Sequence, residues 1–381
     1  MGGDNPVRVQ SMTTCPTTDT EGCIAQIKRI VDAGGEYVRL TTQGIREAEN
    51  LKNIRDGLRR DGYTVPLIAD VHFNANVADV AALYADKVRI NPGNYVDPAR
   101  KFRHLDYTDE EYAEEIKKIE ARFVPFLNIC KEHHTAIRIG VNHGSLSDRI
   151  MSRYGDTPEG MVESCMEFLR ICVKEQFTDV VISIKASSTN VMVTTVRLLV
   201  KAMDAEDMHF PLHLGVTEAG EGEDGRLKSA VGIGSLLVDG IGDTIRVSLS
   251  EAPENEIPVA FGILQAAGVR MSKPEFISCP GCGRTMYNLE STIAKIKSAF
   301  ADNFGSKEAR QQYPTANSLK IAIMGCIVNG PGEMADADYG YVGAGRGKVS
   351  LYKRKECIEM NIPEDEAVAR LIDFIKTDLK A

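Results

Sequence analysis

Residues 66–91 read PLIADVHFNANVADVAALYADKVRIN, two short apolar runs with a helical pattern between them. The same unit of apolar run, polar loop and amphipathic helix repeats from residue 7 to about residue 267. Eight apolar runs occur in this region, at residues 7–12, 37–41, 66–71, 87–91, 136–141, 179–185, 211–216 and 243–249. The repetition predicts strands that alternate with helices, as in an α/β fold.

Eight alternations within about 250 residues match the size and order of a (β/α)8 TIM barrel. A doubly wound sheet is the competing fold, but it usually carries a G-x-G-x-x-G turn after its first strand. Here the first strand leads instead into Met12-Thr13-Thr14-Cys15-Pro16. We therefore predict an N-terminal TIM barrel over residues 1–267.

The sequence changes character after residue 267. Residues 268–278 are predicted to form a linker, and residues 279–381 a smaller α+β domain. Its expected elements are a helix over 289–300, strands over 319–324 and 349–352, and a closing helix over 364–376.

Composition limits the classes of partner and the compartment. A net charge of −9 and a pI near 5.4 argue against an extended nucleic-acid or membrane surface. Nine cysteines without a secretory signal or a long apolar span indicate a reducing, intracellular setting. We expect a cytoplasmic protein, or a stromal one if the source is a plant.

Polar and charged side chains lie near the ends of the predicted barrel strands, where TIM-barrel enzymes carry their active sites. They are Arg39, Asp70, His72, Arg89, Arg138, Asn142, Lys185, Glu218, Arg246 and Ser248. Any single cation could form an ordinary salt bridge or reach to solvent. Four arginines and a lysine at one barrel mouth instead predict a small polyanionic ligand with more than one phosphate.

Glu218 is the one glutamate placed among these cations. It could neutralise Lys185 or Arg246, or it could act as a general acid/base where a proton must move beside a polyanion. We favour the catalytic role. Asp70 and His72, on the third strand, could assist or orient it.

The cysteines of the C-terminal region suggest a metal centre. Cys279 and Cys282 form a CxxC pair, which alone is as typical of a zinc half-site, a redox pair or a surface turn as of a pair of cluster ligands. Cys326 follows in a Gly/Pro-rich segment that ends at Glu333, and no second CxxC completes a zinc ribbon. Three thiolates on an iron–sulfur cubane would leave one iron for another ligand.

With these residues together, the sequence resembles the 4-hydroxy-3-methylbut-2-enyl diphosphate synthases, iron–sulfur enzymes of the non-mevalonate isoprenoid pathway. The matching motifs cover nearly the whole chain in order. They are VQSMT (9–13), ADVHF (69–73), VRINPGN (88–94), LGVTEAG (214–220), CPGCGRT (279–285) and GCIVNGPGE (325–333).

The resemblance implies a [4Fe–4S] cluster held by Cys279, Cys282 and Cys326, with Glu333 as a fourth, exchangeable ligand. It implies an oxidoreductase whose substrate, 2-C-methyl-D-erythritol 2,4-cyclodiphosphate, binds in the barrel mouth. The ring would be opened reductively by two electrons passed through the cluster, with loss of water. Reduced ferredoxin or flavodoxin would supply the electrons.

The resemblance also assigns individual roles. Glu218 matches the acid/base residue, with Asp70 and His72 as further catalytic candidates. The substrate-binding positions are Arg39, Arg89, Arg138, Asn142, Lys185, Arg246, Ser248 and Asn329.

Two segments, residues 103–137 and 142–150, look like the plant-like branch of this family. That branch usually has a large extra domain between barrel and cluster domain, whereas here only residues 251–278 occupy that place. In the short form of the family the cluster domain of one chain caps the barrel of its partner. We therefore expect a head-to-tail homodimer.

Two other functions remain open from the residues themselves. A pterin-type TIM-barrel methyltransferase or aldolase with an accessory zinc module would bind zinc, and Lys185 would form a Schiff base. A non-enzymatic iron–sulfur sensor of a phosphorylated metabolite would bind a cluster without turnover.

Overall fold

The structure is a computed structural model that describes residues 1–98, 100–328, 330–334 and 336–380. The chain divides into two compact units, Met1–Arg270 and Met271–Ala381. We call them the barrel unit and the C-terminal unit, and each is described by itself. Within the described residues, no helix is both long enough and apolar enough to span a bilayer.

Eight parallel strands are described in the barrel unit. They are β1 (Arg8–Met12), β2 (Tyr37–Thr42), β3 (Leu67–Val71), β4 (Lys87–Ile90), β5 (Ala136–Asn142), β6 (Val180–Lys185), β7 (His213–Leu214) and β8 (Thr244–Ile245). Their order is β6-β5-β4-β3-β2-β1-β8-β7, and a parallel bridge between Ile182 and Leu212 joins the two ends of this sheet. The predicted TIM barrel is confirmed.

Helices follow the strands around the barrel. They are α1 (Thr20–Asp32), α2 (Ile45–Arg60), α3 (Ala75–Ala82), α4 (Pro92–Tyr95), α5 (Asp109–His133), α6 (Asp148–Tyr154), α7 (Pro158–Lys174), α8 (Thr189–Ala205), α9 (Gly222–Leu237) and α10 (Glu256–Ala266). Local sequence fixes several of their starts. Thr108 and Glu111 form a capping box at α5, and Thr157 caps α7 just before Pro158.

Strand periodicity sorts the barrel side chains into two faces. Along β4, Val88 and Ile90 belong to the hydrophobic core between strands and helices. Lys87 and Arg89 alternate with them, so they lie on the opposite, inner face of the barrel wall. Arg138 on β5 is paired in register with Arg89. The inside of the barrel is therefore cationic.

The C-terminal unit is built on a mixed five-stranded sheet. Its strands are β9 (Glu275–Ser278), β10 (Lys320–Met324), β11 (Tyr339–Gly345), β12 (Lys348–Lys353) and β13 (Glu356–Pro363), in the order β13-β12-β11-β10-β9. β9, β10 and β11 are parallel, whereas β12 pairs antiparallel with β11 and β13. The helices are α11 (Leu289–Phe304), α12 (Lys307–Gln312), α13 (Gly330–Glu333) and α14 (Glu364–Asp378). The smaller α+β domain is confirmed.

One sequence prediction is wrong in part. Residues 268–278 are predicted as a linker, but Glu275–Ser278 forms β9 and pairs in parallel with β10. The segment is a sheet edge with only partly buried apolar side chains, Phe276 and Ile277. Its strand character depends on its partner strand, which its own short sequence does not reveal.

Candidate functional site

The predicted polyanion site is a cavity at the C-terminal ends of the barrel strands. Its volume is about 80 Å³, and its lining consists of Arg39, Asp70, His72, Arg89, Arg138, Asn142, Ser183, Lys185, Thr217, Arg246 and Ser248. Every barrel residue predicted for the site lines this cavity except Glu218. Ser183 and Thr217 are additional. Strand alternation could have identified Ser183, which lies two residues before Lys185 on β6.

Two glycines make room for the long cations inside the barrel. A Cβ atom at Gly140 would lie 2.4 Å from Arg89 Nε, and one at Gly215 would lie 2.8 Å from Lys185 Nζ. Such distances are far below van der Waals contact. Any larger residue at either position would displace a cation of the cavity.

Asp70 organises two of the arginines. Its carboxylate lies 3.1 Å from Arg89 Nη1, 3.5 Å from Arg39 Nε and 3.6 Å from His72 Nε2. Burial raises the pKa of Asp70, but Arg39 and Arg89 outweigh burial and hold this pKa well below its usual range. Asp70 is therefore ionised at neutral pH, which suits holding the arginines rather than donating a proton.

The cavity cations differ in whether a carboxylate balances them. Asp70 balances two arginines, and Arg246 lies 3.1 Å from Glu256. Among the described residues, neither Arg138 nor Lys185 has an acidic group within ion-pair distance. Arg138 is only 1% exposed, and its Nε and Nη1 have no hydrogen-bond partner in the described part of the chain. A buried, unpaired cation is costly unless a ligand supplies the missing charge.

The pKa values of these groups reflect the same imbalance. Burial lowers the pKa of Arg39 to about 10, although Asp70 favours its charged form. Burial, followed by the charges of Arg39 and Arg246, lowers the pKa of Lys185 well below its ordinary 10.5. Opposite charge favours the protonated form of a base. A bound polyanion would therefore raise both pKa values again.

Glu218 lies beside the cavity rather than in its lining. Its side chain is exposed, and it directly follows Thr217, which does line the cavity. Its φ of +54° is in the left-handed region, which is uncommon for a residue other than glycine and marks local strain. In the described part of the chain Glu218 forms no ion pair, so the structure does not support a neutralising role toward Lys185 or Arg246.

The predicted metal ligands surround a second cavity, in the C-terminal unit. This cavity has a volume of about 340 Å³, and Cys279, Cys282, Cys326 and Glu333 are all among its lining residues. Cys279 and Cys282 follow β9, and Cys326 follows the adjacent parallel strand β10. Because neighbouring parallel strands end at the same sheet edge, the strand β9 explains why these cysteines, distant in sequence, line the same cavity.

Local hydrogen bonds reach two of these cysteines. Gly325 donates its backbone N–H to Cys279 Sγ at 3.3 Å. Hydrogen bonds from the backbone and then the side chain of Arg284 lower the pKa of Cys282. Thiolates are the forms that bind metals, and such hydrogen bonds stabilise them.

The side chains around this cavity are of types that bind metals. Within the described ranges, no group of three His, Cys, Asp or Glu side chains is close enough to hold one metal ion. Each ligand of an iron–sulfur cubane binds a different iron, so its ligands stand further apart than those around one zinc. Three thiols and a carboxylate around one cavity are therefore candidate ligands for a metal centre. The predicted substrate residue Asn329 lies outside the described residues.

Both units match known families. Residues 1–261 match the family model of the GcpE TIM-barrel domain, and residues 275–377 match that of the GcpE protein C-terminal domain. The chain belongs to the GcpE family. A GcpE relative from Phocaeicola vulgatus, named 4-hydroxy-3-methylbut-2-en-1-yl diphosphate synthase (flavodoxin), is 48% identical over 601 aligned positions, covering 99% of this chain and 96% of the relative.

Cyanobacterial GcpE relatives have a similar length to this chain. The protein from Prochlorococcus marinus subsp. pastoris, named 4-hydroxy-3-methylbut-2-en-1-yl diphosphate synthase (ferredoxin), is 50% identical over 385 positions, covering 100% of this chain and 91% of the relative. A Synechococcus protein of the same name is 49% identical over 383 positions, and the alignment covers 99% of this chain and 92% of that relative. The Phocaeicola alignment is much longer than the 381 residues of this chain. This chain therefore lacks the large insert that the longer GcpE proteins contain.

Proposed function

We propose that the chain catalyses the two-electron reductive ring opening of 2-C-methyl-D-erythritol 2,4-cyclodiphosphate to 4-hydroxy-3-methylbut-2-enyl diphosphate, with loss of water. The relatives are named as synthases of this product. The observation that carries the proposal is the barrel cavity, which gathers four arginines and a lysine. Phosphate oxygens are the natural partners of such a set.

The cations divide the work of binding. Arg138 and Lys185 have no described carboxylate partner, so they supply the charge that the diphosphate must neutralise. Arg39, Arg89 and Arg246 are held by carboxylates and contribute directed N–H groups. Asn142 and Ser248 add neutral hydrogen bonds.

The reaction consumes two electrons and two protons and releases one water. We assign proton delivery to Glu218, because it is open to solvent beside Thr217 at the edge of the cavity. Asp70 stays ionised in its ion pairs, so with His72 it serves to orient Arg39 and Arg89.

We further propose that Cys279, Cys282 and Cys326 hold a [4Fe–4S] cluster and that Glu333 is its fourth, exchangeable ligand. Such a cluster supplies single electrons and a Lewis-acidic iron when bound. The backbone N–H of Gly325 donates a hydrogen bond to Cys279 Sγ. The predicted contact of Asn329 with substrate stays a prediction.

Reduced ferredoxin or flavodoxin is the proposed electron donor, since relatives are named with each. The head-to-tail homodimer stays a prediction, which sedimentation of the active protein tests: an active monomer would contradict it. A reducing compartment, the cytoplasm or a plant stroma, is proposed because every described cysteine is a free thiol.

Anaerobic purification with metal and sulfide analysis tests the cofactor. We expect about four irons and four sulfides per chain. Zinc in stoichiometric amount would contradict the cluster and favour the methyltransferase or aldolase alternative. Turnover of the cyclodiphosphate with dithionite as reductant tests the reaction itself. A protein that holds the cluster but gives no product would be the sensor.

A further inference from the structure

Glu256 is a buried carboxylate beside the anion cavity that does not line it. It is the first residue of α10 and only 2% exposed. Oε1 accepts hydrogen bonds from Arg246 Nη2 at 3.1 Å and from the Leu249 backbone N–H at 3.2 Å. Oε2 accepts from Ser11 Oγ at 2.7 Å and from Arg246 Nε at 3.2 Å. Four donors thus converge on one side chain.

The pairing with Arg246 uses both carboxylate oxygens. Arginine presents five N–H donors in a rigid planar fork. Glu256 occupies the edge formed by Nε and Nη2, while the nearest described acceptor of Nη1 is the weakly accepting thioether sulfur of Met12 at 3.5 Å. The remaining donors of Arg246 are therefore available to an anion in the cavity that Arg246 lines.

We propose that Glu256 is a positioning residue that fixes the guanidinium plane of Arg246 for diphosphate binding. The inference rests on the proposed function for the identity of the anion. A bidentate ion pair restricts both the position and the tilt of the fork, so less freedom is lost when phosphate binds. Ser11 and the Leu249 backbone hold Glu256 from β1 and from the segment after β8, so the carboxylate itself is fixed.

Replacement of Glu256 by glutamine shows why a negative charge is required at this position. Each oxygen of Glu256 accepts an N–H from Arg246. In Glu256→Gln the amide NH2 would face an Arg246 N–H in either orientation, and two donors repel. Arg246 would then rotate away. We expect the KM for the cyclodiphosphate and the Kd for inorganic pyrophosphate to rise by roughly tenfold to a hundredfold, with kcat changed far less.

A matched control is available at the other end of the barrel. Glu36 also accepts two hydrogen bonds from one arginine, Arg270, at 2.8 and 3.1 Å, together with one from Arg8 Nη1 at 2.8 Å and one from the Val9 backbone N–H. It is partly buried and does not line the cavity. Glu36→Gln should destabilise the protein without changing the KM or the pyrophosphate Kd.

The experiment compares the wild type, Glu256→Gln, Glu256→Asp and Glu36→Gln as anaerobic holoenzymes. Calorimetry measures pyrophosphate binding, and steady-state assays separate KM from kcat. Glu256→Asp keeps the carboxylate and should recover part of the affinity. Arg246→Gln and the double variant Arg246→Gln/Glu256→Gln complete a thermodynamic cycle, and the double variant leaves no unpaired buried charge if Glu256→Gln alone does not fold.

If Glu256 acts through Arg246, Glu256→Gln should weaken pyrophosphate binding only when Arg246 is present. An affinity within twofold of the wild type would overturn the inference, and so would an equal loss in the Arg246→Gln background. If the wild type fails to turn over the cyclodiphosphate while pyrophosphate binding follows the expected cycle, the proposed function fails and the positioning role stands.

Discussion

Replacement of Arg138 by methionine should stabilise the ligand-free protein while it weakens substrate binding. Arg138 lies on β5 inside the barrel, 1% exposed, and two of its nitrogens lack a described hydrogen-bond partner. Burial, followed by the charges of Arg39 and Arg89, lowers its pKa well below the ordinary 12.5. The charge of Arg138 therefore destabilises the ligand-free protein and becomes favourable only when an anion binds.

The structure allows both magnitudes to be worked out. Replacing a buried ion pair with apolar groups of similar size is neutral or stabilising by about 1–4 kcal/mol, and for Arg138, which has two unpartnered nitrogens and no described carboxylate, we expect about 2 kcal/mol. A hydrogen bond to a charged partner contributes about 1.5–3 kcal/mol. Loss of two such bonds to phosphate costs at least about 3 kcal/mol, which is roughly a hundredfold in KM.

Arg149→Met is the matched control. Arg149 is just as buried, but it lies 2.7 Å from Glu167 and 3.0 Å from Asp97. Its loss leaves two buried carboxylates without a described ion-pair partner, so the free energy of unfolding should fall by about 3–5 kcal/mol with little change in KM. Anaerobic urea unfolding and steady-state kinetics measure both quantities. The reasoning is refuted if Arg138→Met loses stability as Arg149→Met does, or if its KM matches the wild type.

Three further changes probe the other groups. Glu218→Gln should keep the cluster and the KM but lower kcat by about 10²–10⁴-fold, since an amide cannot deliver a proton; near-normal turnover would remove the acid/base role. Glu333→Ala should change the EPR spectrum of the reduced, substrate-free protein, and an unaltered spectrum would argue against ligation. For Asp70, burial raises the pKa, but Arg39 and Arg89 outweigh burial and hold the folded-state pKa well below 3.8. Its ion pairs therefore stabilise the fold fully at pH values above the pKa of the unfolded chain. This stabilisation is lost as the pH falls through the pKa of the folded protein. Asp70→Asn should therefore lower the urea-unfolding free energy by clearly more at pH 8 than at pH 3, with the difference narrowing below about pH 4; a difference that is the same at pH 3 as at pH 8 would contradict this.

Much of the barrel could be predicted because its strands carry their own signal. In β4, Val88 and Ile90 face the helices while charged residues alternate with them. The C-terminal unit was harder to predict. β11 contains Gly340, Gly343 and Gly345, which weaken a strand pattern, and β13 is an edge strand with mostly exposed side chains. Their pairing with neighbouring strands decides their conformation.

The site divides in the same way. The cavity cations could be predicted because parallel barrel strands all end at one mouth. Glu256 could not, because at the level of sequence it is an ordinary acidic residue in the first turn of a helix. Its partner Arg246 becomes apparent only when α10 packs beside the end of β8. The exposed position of Glu218 likewise depends on a left-handed backbone that its sequence does not announce.

The strand pairs of the barrel differ in the number of residues that they pair. β5 and β6 pair along six residues in register, whereas β7 and β8 pair along only two. Opening free energies should therefore differ around the ring, with fast amide hydrogen exchange near residues 213–218 and 244–248 and slow exchange in β5 and β6. A ligand that contacts both Arg138 on β5 and Arg246 after β8 would link the extensively paired strands to the briefly paired ones. Substrate binding would then slow the opening of β7 and β8 as well as fill the cavity.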